Sequence, residues 1–136
     1  MTSVTATAAR ATTTPTTSVR VGLALSIILG LANLPFLFLT LDWGPQEPPF
    51  GMLLVNAALG MVSVICAAIA WNSANRLAIR VNAAALIINA ILIVPGLVFE
   101  GVPAWIPVLS AATVVTTVIA VVLMMRRTSA PVPVID

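Results

Sequence analysis

Four long apolar stretches decide what this chain can fold into. They cover about residues 21–41, 51–71, 81–99 and 105–125, and none of them contains Asp, Glu, Lys, Arg or His. At a rise of 1.5 Å per residue, a helix of about 20 residues spans roughly 30 Å, which is the thickness of a bilayer's hydrocarbon core. The sequence therefore predicts an all-α membrane protein with four transmembrane helices in an antiparallel bundle.

The composition agrees with a membrane protein. Of the 136 residues, 60% are hydrophobic and 7% are charged, and the mean hydropathy is +1.14, whereas a soluble domain carries about 25% charged residues. We divide the chain into a Thr-rich cytoplasmic tail predicted to be disordered (1–18), a transmembrane domain (19–127) and a short cytoplasmic tail (128–136).

The charged residues predict the orientation in the membrane. Asp42, Glu47 and Glu100 lie in two connections that contain no arginine. All the arginines lie before the first span, between the second and third spans, or after the fourth: Arg10, Arg20, Arg76, Arg80, Arg126 and Arg127. Because basic residues stay on the cytoplasmic side, we expect both termini in the cytoplasm of a bacterium and the acidic connections outside its plasma membrane. The arginines from Arg20 onward are the expected topology determinants.

Small and polar residues recur on one face of each span, and we call these four faces the seams. In the third span, the seam residues are three or four positions apart: Asn75, Ala78, Asn82, Ala85 and Asn89. The other seams contain Gly22, Ser26, Gly30 and Asn33 in the first span, Asn56, Gly60, Ser63, Ala67 and Ala70 in the second, and Ser110, Thr113, Thr117 and Ala120 in the fourth. Small side chains let helix backbones approach closely in lipid, so we expect the seams to form the helix–helix contacts.

The four asparagines inside the spans are the most specific polar feature: Asn33, Asn56, Asn82 and Asn89. Two interpretations of them are open. As interhelical hydrogen-bonding groups, they would each contribute about 0.6 kcal/mol to packing. As residues facing a common path, they would bind or conduct a small solute. Their position on the seams favours packing. Asn75, next to the inner surface, is expected to begin a helix.

Two alignments of the chain with itself indicate an internal repeat. A shift of 60 residues superimposes two arginines and two prolines, and a weaker shift of 54 residues superimposes two pairs of small polar residues. The pairs are Arg20 with Arg80, Pro35 with Pro95, Asn56 with Ser110, and Ser63 with Thr117. The pattern predicts two helical hairpins related by an axis along the membrane normal. Chance similarity between apolar segments is the alternative. Pro35 is expected to kink the first span.

The sequence lacks the residues that catalysis and ion coupling use. Proton-coupled transport and general acid–base catalysis need a titrating group, and the spans contain none. One cysteine, Cys66, and no histidine give no metal motif, and no GxSxG, HExxH or CxxC pattern is present. We expect no enzymatic activity and no cofactor. The scattered arginines form no basic patch, so we expect no nucleic-acid partner.

Three segments carry a resemblance to other proteins: NRLAIRV at 75–81, GVPAWIPVL at 101–109 and MMRR at 124–127. With these segments the chain resembles small uncharacterised four-helix membrane proteins of high-GC bacteria over about residues 20–127. The resemblance implies a four-helix fold and no common activity. Small multidrug exporters also have four spans, but they have a glutamate in the first, which this chain lacks. Fluoride channels insert in both orientations, which a one-sided arginine distribution contradicts.

These observations lead to two hypotheses about function. The first is a non-enzymatic scaffold or accessory subunit of a membrane complex, whose partners are the lipid bilayer and either another protein or further copies of the chain. The second is an oligomeric channel or facilitator for a small solute, with the four asparagines along its path. Oligomerisation is required in the second case because one four-helix bundle is too thin for a water-filled pore.

Overall fold

Helices form nearly all of the computed structural model, which describes residues 15–38, 48–98 and 100–126. The helices are α1 (Thr17–Asn33), α2 (Phe50–Ser73), α3 (Arg76–Ile93), the single turn α4 (Pro95–Val98) and α5 (Trp105–Met125). A 3-10 turn, Pro35–Leu37, follows α1. Within the described ranges there is no β-strand. The prediction of an all-helical chain is confirmed.

Four of these helices are long and apolar enough to cross a membrane. The segments contain 18 to 24 residues, with α1 counted together with its 3-10 turn, and their mean hydropathy lies between 1.7 and 2.4. Each overlaps one of the four apolar stretches of the sequence, and α3 (Arg76–Ile93) begins and ends earlier than the predicted stretch 81–99. The four candidate spans that the sequence predicts are therefore present as helices, which fits a multi-pass membrane protein.

The connection between α2 and α3 is shorter than predicted. Ala74 ends α2 in the left-handed region, with φ +49°, and its N–H donates to the Ala70 carbonyl at 2.9 Å. The Asn75 side chain then accepts a hydrogen bond from the Leu77 N–H at 2.9 Å, which caps the start of α3 and confirms the predicted role of Asn75. Because α3 begins at residue 76, Arg76 and Arg80 lie on its first two turns and not in a connecting segment.

Two prolines interrupt regular α-helix. The helix α1 stops at Asn33, two residues before Pro35, and α3 stops at Ile93, two residues before Pro95. Proline has no N–H to donate, and its ring crowds the preceding turn. In both places a short turn starts at the proline, as the 3-10 turn or as α4. The span is interrupted at Pro35, as expected, and it continues beyond this residue as a 3-10 turn to Leu37. Residues 39–41 of the predicted span lie outside the described ranges.

The seams face the interior. The helix α1 packs against α2 and α5, and α3 packs against the same two helices. Nearly all the seam residues are buried; Asn56 and Thr113 are half-buried, and Asn75 is exposed. Large apolar side chains such as Ile28, Ile65 and Ile91 point outward. The interior thus combines small and polar seam residues with buried apolar side chains such as Leu23, Leu86 and Met124, and the exterior is apolar, as expected in lipid.

Candidate functional site

Eight polar residues inside the helices form two sets. Each of the four long helices contributes one residue to each set, and the two residues of a helix are always seven positions apart. We call Ser26, Ser63, Asn82 and Thr117 the closed set, and Asn33, Asn56, Asn89 and Ser110 the cavity set. Seven residues are two helical turns, so the paired residues share a face and are separated by about 10 Å along the helix.

All four residues of the closed set are buried, and Ser26 and Asn82 are hydrogen-bonded to each other. The Ser26 hydroxyl donates to Oδ1 of Asn82 at 2.8 Å, and Nδ2 of Asn82 lies 3.4 Å from the sulfur of Met124. Ser26 and Asn82 are both 0% exposed. These contacts join α1, α3 and α5 through one amide. At this position, the seam asparagine forms an interhelical contact.

A cavity of about 440 Å³ lies where α1 and α3 end and α2 and α5 begin. Its polar floor consists of Asn33, Asn56, Ser110 and Thr113. The remaining described lining is apolar or aromatic and includes Phe36, Pro48, Pro49, Met52, Leu53, Leu92, Ile93, Pro95, Val102, Trp105, Ile106 and Leu109. Pro48, Pro49, Val102 and Trp105, which we call the rim, lie at or beyond helix ends.

The cavity set is only partly satisfied. The Asn33 amide donates to the Leu29 carbonyl at 2.9 Å, within its own helix. The side-chain oxygens of Asn56 and Asn89 are buried and have no hydrogen-bond partner. A buried acceptor without a partner costs about 1–3 kcal/mol. The side-chain oxygen of Asn82 in the closed set thus has a hydrogen-bond donor, whereas those of Asn56 and Asn89 in the cavity set have none. Buried polar groups without partners call for an explanation.

Asn89 connects the cavity with the closed set. It is 3% exposed and lies on α3 one turn before Leu92 and Ile93, which line the cavity, and two turns after Asn82. Asn89 itself does not line the cavity, and its unpartnered oxygen is buried from it. Polar groups continue inward from the cavity to the closed set, where Asn82 has its own partners.

The described lining of the cavity is uncharged, and the nearest acidic residue along the described chain is Glu100, two positions before the lining residue Val102. The described arginines, Arg20, Arg76, Arg80 and Arg126, are exposed at helix ends, and the Arg20 guanidinium lies 6.0 Å from the ring centre of Trp71. Within the described ranges, no group of His, Cys, Asp and Glu side chains could hold a metal ion. What the cavity offers is amide and hydroxyl groups within apolar walls.

The predicted site residues divide between two environments. Asn33 and Asn56 meet at the cavity, Asn89 lies beneath it, and Asn82 lies in the closed set. Sequence reasoning placed Ser110 and Thr113 on a seam but did not connect them with a site, and it assigned no solute contact to Trp105. The signal for Ser110 was the seven-residue spacing shared by all four spans. Arg127, a predicted topology determinant, lies outside the described residues.

No protein-family model, curated protein or solved structure matches this chain.

Proposed function

We propose that this chain is a multi-pass protein of the bacterial plasma membrane that binds a small uncharged solute between its helices and catalyses no reaction. The observation that carries the proposal is the cavity of about 440 Å³, in which Asn33, Asn56, Ser110 and Thr113 contribute polar groups to an otherwise apolar lining. Small-molecule sites measure about 300–1,000 Å³ and combine apolar walls with a few polar groups. The cavity has this size and this composition.

The proposed architecture is an antiparallel four-helix bundle. Three contacts support it: Arg20 lies beside Trp71, and the backbones of Gly30 and of Gly22 lie close to those of Gly60 and Ala120, respectively. Residue numbers increase along α1 while those of the α2 residues in contact decrease, as in two antiparallel helices. Short connections between neighbouring helices are typical of such bundles.

The proposed repeat of two hairpins has support of unequal strength. The shift of 54 residues superimposes both polar residues of α2 on those of α5, because Asn56 meets Ser110 and Ser63 meets Thr117. The shift of 60 residues superimposes the prolines that follow α1 and α3. The polar residues of these two helices correspond at a shift of 56 (Ser26 to Asn82), which differs by about one helical turn.

The proposed orientation places the cavity on the outer side of the membrane. The described arginines lie at the start of α1, the start of α3 and the end of α5, whereas Glu100 lies between α4 and α5, next to the cavity. Under the positive-inside rule, both termini are then cytoplasmic. The solute would enter from the extracytoplasmic side. A facilitator would additionally require the closed set to open.

Ligand-induced stabilisation tests the proposal. In nanodiscs, a panel of small uncharged compounds should include at least one that raises the unfolding midpoint, because a ligand that binds only the folded state stabilises it. Thr113→Phe, which fills the cavity, should abolish the shift. Ala112→Phe, at the neighbouring exposed position, should retain it. Equal shifts in both variants, or no shift with any compound, would contradict solute binding.

A scaffold or accessory subunit is the second candidate, and the surface of α2 and α5 favours it. Only 22% of the residues in the apolar window of each helix are buried. Small residues are exposed on both: Ala58, Ala68, Ala111 and Ala112. Such residues allow another helix to approach closely. Crosslinking in native membranes should then recover one dominant partner protein, whereas recovery of the chain's own oligomers alone would argue against an accessory role.

A further inference from the structure

We propose that the outward face of α3 binds an anionic phospholipid, whose phosphate contacts Arg76 and Arg80 and whose acyl chains lie along the apolar side chains that follow. This inference goes beyond solute binding. It requires only that the four helices lie in a membrane, and it is independent of their orientation. Three observations lead to it: the positive charge at one end of the fold, the level of the arginines, and the composition of one helix face.

The arginines, which are scattered along the sequence, meet at one end of the fold. The starts of α1 and α3 and the end of α5 carry the described ones: Arg20, Arg76, Arg80 and Arg126. The short connection from α2 places the start of α3 beside the end of α2, where the ring centre of Trp71 lies 6.0 Å from the Arg20 guanidinium. Glu100, the single acidic residue of the described ranges, lies at the opposite end. The arginine end therefore presents positive charge that no described acidic residue neutralises.

Contacts of Met124 show that three of these arginines lie at one level. A Cβ atom on Gly22 would lie 2.7 Å from Cγ of Met124, and the Asn82 amide lies 3.4 Å from its sulfur. Each of these three residues is two positions from an arginine, which lies about 3 Å nearer the end of the fold: Arg20, Arg80 and Arg126. Two of the arginines directly precede an uncharged stretch and the third directly follows one. Their level is therefore where the hydrocarbon core ends and the lipid headgroups begin.

The outward face of α3 combines two positive charges with an apolar stripe. Successive steps of four, four, three and four residues place its exposed side chains on one side of the helix: Arg76, Arg80, Ala84, Ile87 and Ile91. Because Ala84 is small, it leaves room beside the helix directly beneath the arginines. A phospholipid has the complementary order of groups, from its phosphate to its acyl chains.

Arg76 and Arg80 are spaced to share one phosphate group. Side chains four residues apart are neighbours on a helix, and like charges at this spacing repel each other. A phosphate between the two guanidinium groups removes this repulsion and accepts paired N–H bonds from each. A zwitterionic headgroup also carries an ammonium group, which the arginines repel. The pair therefore favours a lipid with a net negative headgroup.

Quenching of one tryptophan by brominated lipids tests the inference. Trp43→Phe, Trp71→Phe and Trp105→Phe remove the native tryptophans of the full chain, and Ala84→Trp places a new one beneath the arginine pair. The bilayers mix phosphatidylglycerol and phosphatidylcholine with identical chains, and only one of the two lipids is brominated. Quenching then gives the relative association constant of the two lipids beside this tryptophan. Val98→Trp in the same background is the control position, because Val98 is exposed at the opposite end of the fold.

At position 84, we expect phosphatidylglycerol to be favoured at least about fivefold, the factor that one arginine contributes near an anionic lipid surface. Arg76→Gln with Arg80→Gln should reduce this preference to less than about twofold. Arg126→Gln with Arg127→Gln is the matched control, since it removes two charges outside α3, and it should leave a preference of at least about threefold. At position 98, neither lipid should be favoured.

The chain with its native tryptophans provides a second measurement. Phosphatidylglycerol added to detergent micelles should raise the unfolding midpoint more than phosphatidylcholine does, because a ligand that binds the folded state stabilises it. Arg76→Gln with Arg80→Gln should remove the difference. Equal shifts with the two lipids in the unsubstituted chain would contradict the inference, even if the tryptophan variants failed to fold.

Other outcomes would overturn the inference and leave solute binding intact, because the cavity lies at the other end of α3. The absence of a preference at position 84 would exclude the site. Equal losses in the two double variants would indicate diffuse attraction by the whole arginine end. An equal preference at positions 84 and 98 would show that the arginines are not its source. Loss of the preference in millimolar inorganic phosphate would assign the arginines to a soluble anion.

Discussion

A methyl group added to Gly30 would lie 2.6 Å from the carbonyl oxygen of Gly60, and one added to Gly60 would lie 2.7 Å from the carbonyl oxygen of Gly30. Both distances are below the 3.0 Å that real Cβ atoms respect. The backbones of α1 and α2 therefore touch at this crossing, and no side chain fits between them. In lipid, where burial of apolar surface gives helices no reason to associate, such close approach is a main source of packing energy.

Alanine at either glycine should separate α1 from α2. We expect Gly30→Ala and Gly60→Ala each to destabilise the fold by about 1–3 kcal/mol, because the added methyl group meets backbone atoms that cannot move independently. The denaturant midpoint of the reconstituted protein measures this loss. Gly51→Ala is the matched control, since a Cβ there meets nothing within 4 Å, and it should be neutral or slightly stabilising. Equal effects at all three positions would show that helix propensity, and not the crossing, determines the result.

The hydrogen bond between Ser26 and Asn82 should be measurable as a coupling energy. Ser26→Ala leaves the Asn82 oxygen without its donor, and Asn82→Leu removes the acceptor. In a double-mutant cycle, we expect the two changes to couple by about 0.6–1.7 kcal/mol, the range found for hydrogen bonds between membrane helices. Chemical unfolding of the two single variants and the double variant provides the energies. Strict additivity would mean that the contact contributes nothing to stability.

Removal of the Asn75 cap should weaken the start of α3. Asn75→Ala leaves the Leu77 N–H without its side-chain acceptor, and we expect a loss of about 1 kcal/mol. Asn72→Ala is the comparison, because the exposed Asn72 side chain donates only to the Ala68 carbonyl of its own helix. Its substitution should change stability by less than about 0.5 kcal/mol. The unfolding midpoints of the two variants measure the two losses of stability. Equal losses would show that packing alone holds the α2–α3 connection.

The proposed orientation can be tested by labelling in intact cells. In a Cys66→Ala background, Glu100→Cys should react with a membrane-impermeant maleimide added from outside. Asn72→Cys, in the last turn of α2, should react only after the cells are lysed, since this end of α2 and the start of α3 with Arg76 and Arg80 are proposed to face the cytoplasm. Both positions are exposed, so access to the reagent is the variable that differs. The reverse pattern would contradict the orientation and place the cavity toward the cytoplasm.

Much of the helical framework was predictable from local sequence. Absence of charge over about 20 residues fixes where helices can cross lipid, and the three- and four-residue spacing of Gly, Ala, Ser and Asn identifies the face that packs. Helix ends were less predictable. The capping side chain of Asn75 permits α3 to begin at Arg76, before the uncharged stretch starts, so charge alone misplaced this boundary.

The cavity was not predictable because it depends on how helices end relative to one another. It exists where α1 stops at Asn33 and α3 stops at Ile93, while α2 and α5 start opposite them. No local pattern specifies that space. The seven-residue spacing shows that Asn56 and Asn82 lie on buried faces, but only the packed helices show that one amide oxygen has a donor and the other has none.

In the proposed membrane orientation, the closed set has a consequence for the leakage of ions. The fully buried Leu23 and Leu86 and the bonded pair of Ser26 and Asn82 lie in the interior between the cavity and the end of α1 that carries Arg20. A cavity that opens on one side of a membrane is compatible with an ion gradient only if no continuous file of water molecules reaches the other side. In the proposed orientation, the buried leucines and the Ser26–Asn82 pair would block such a file of water, so the protein would not dissipate the proton gradient.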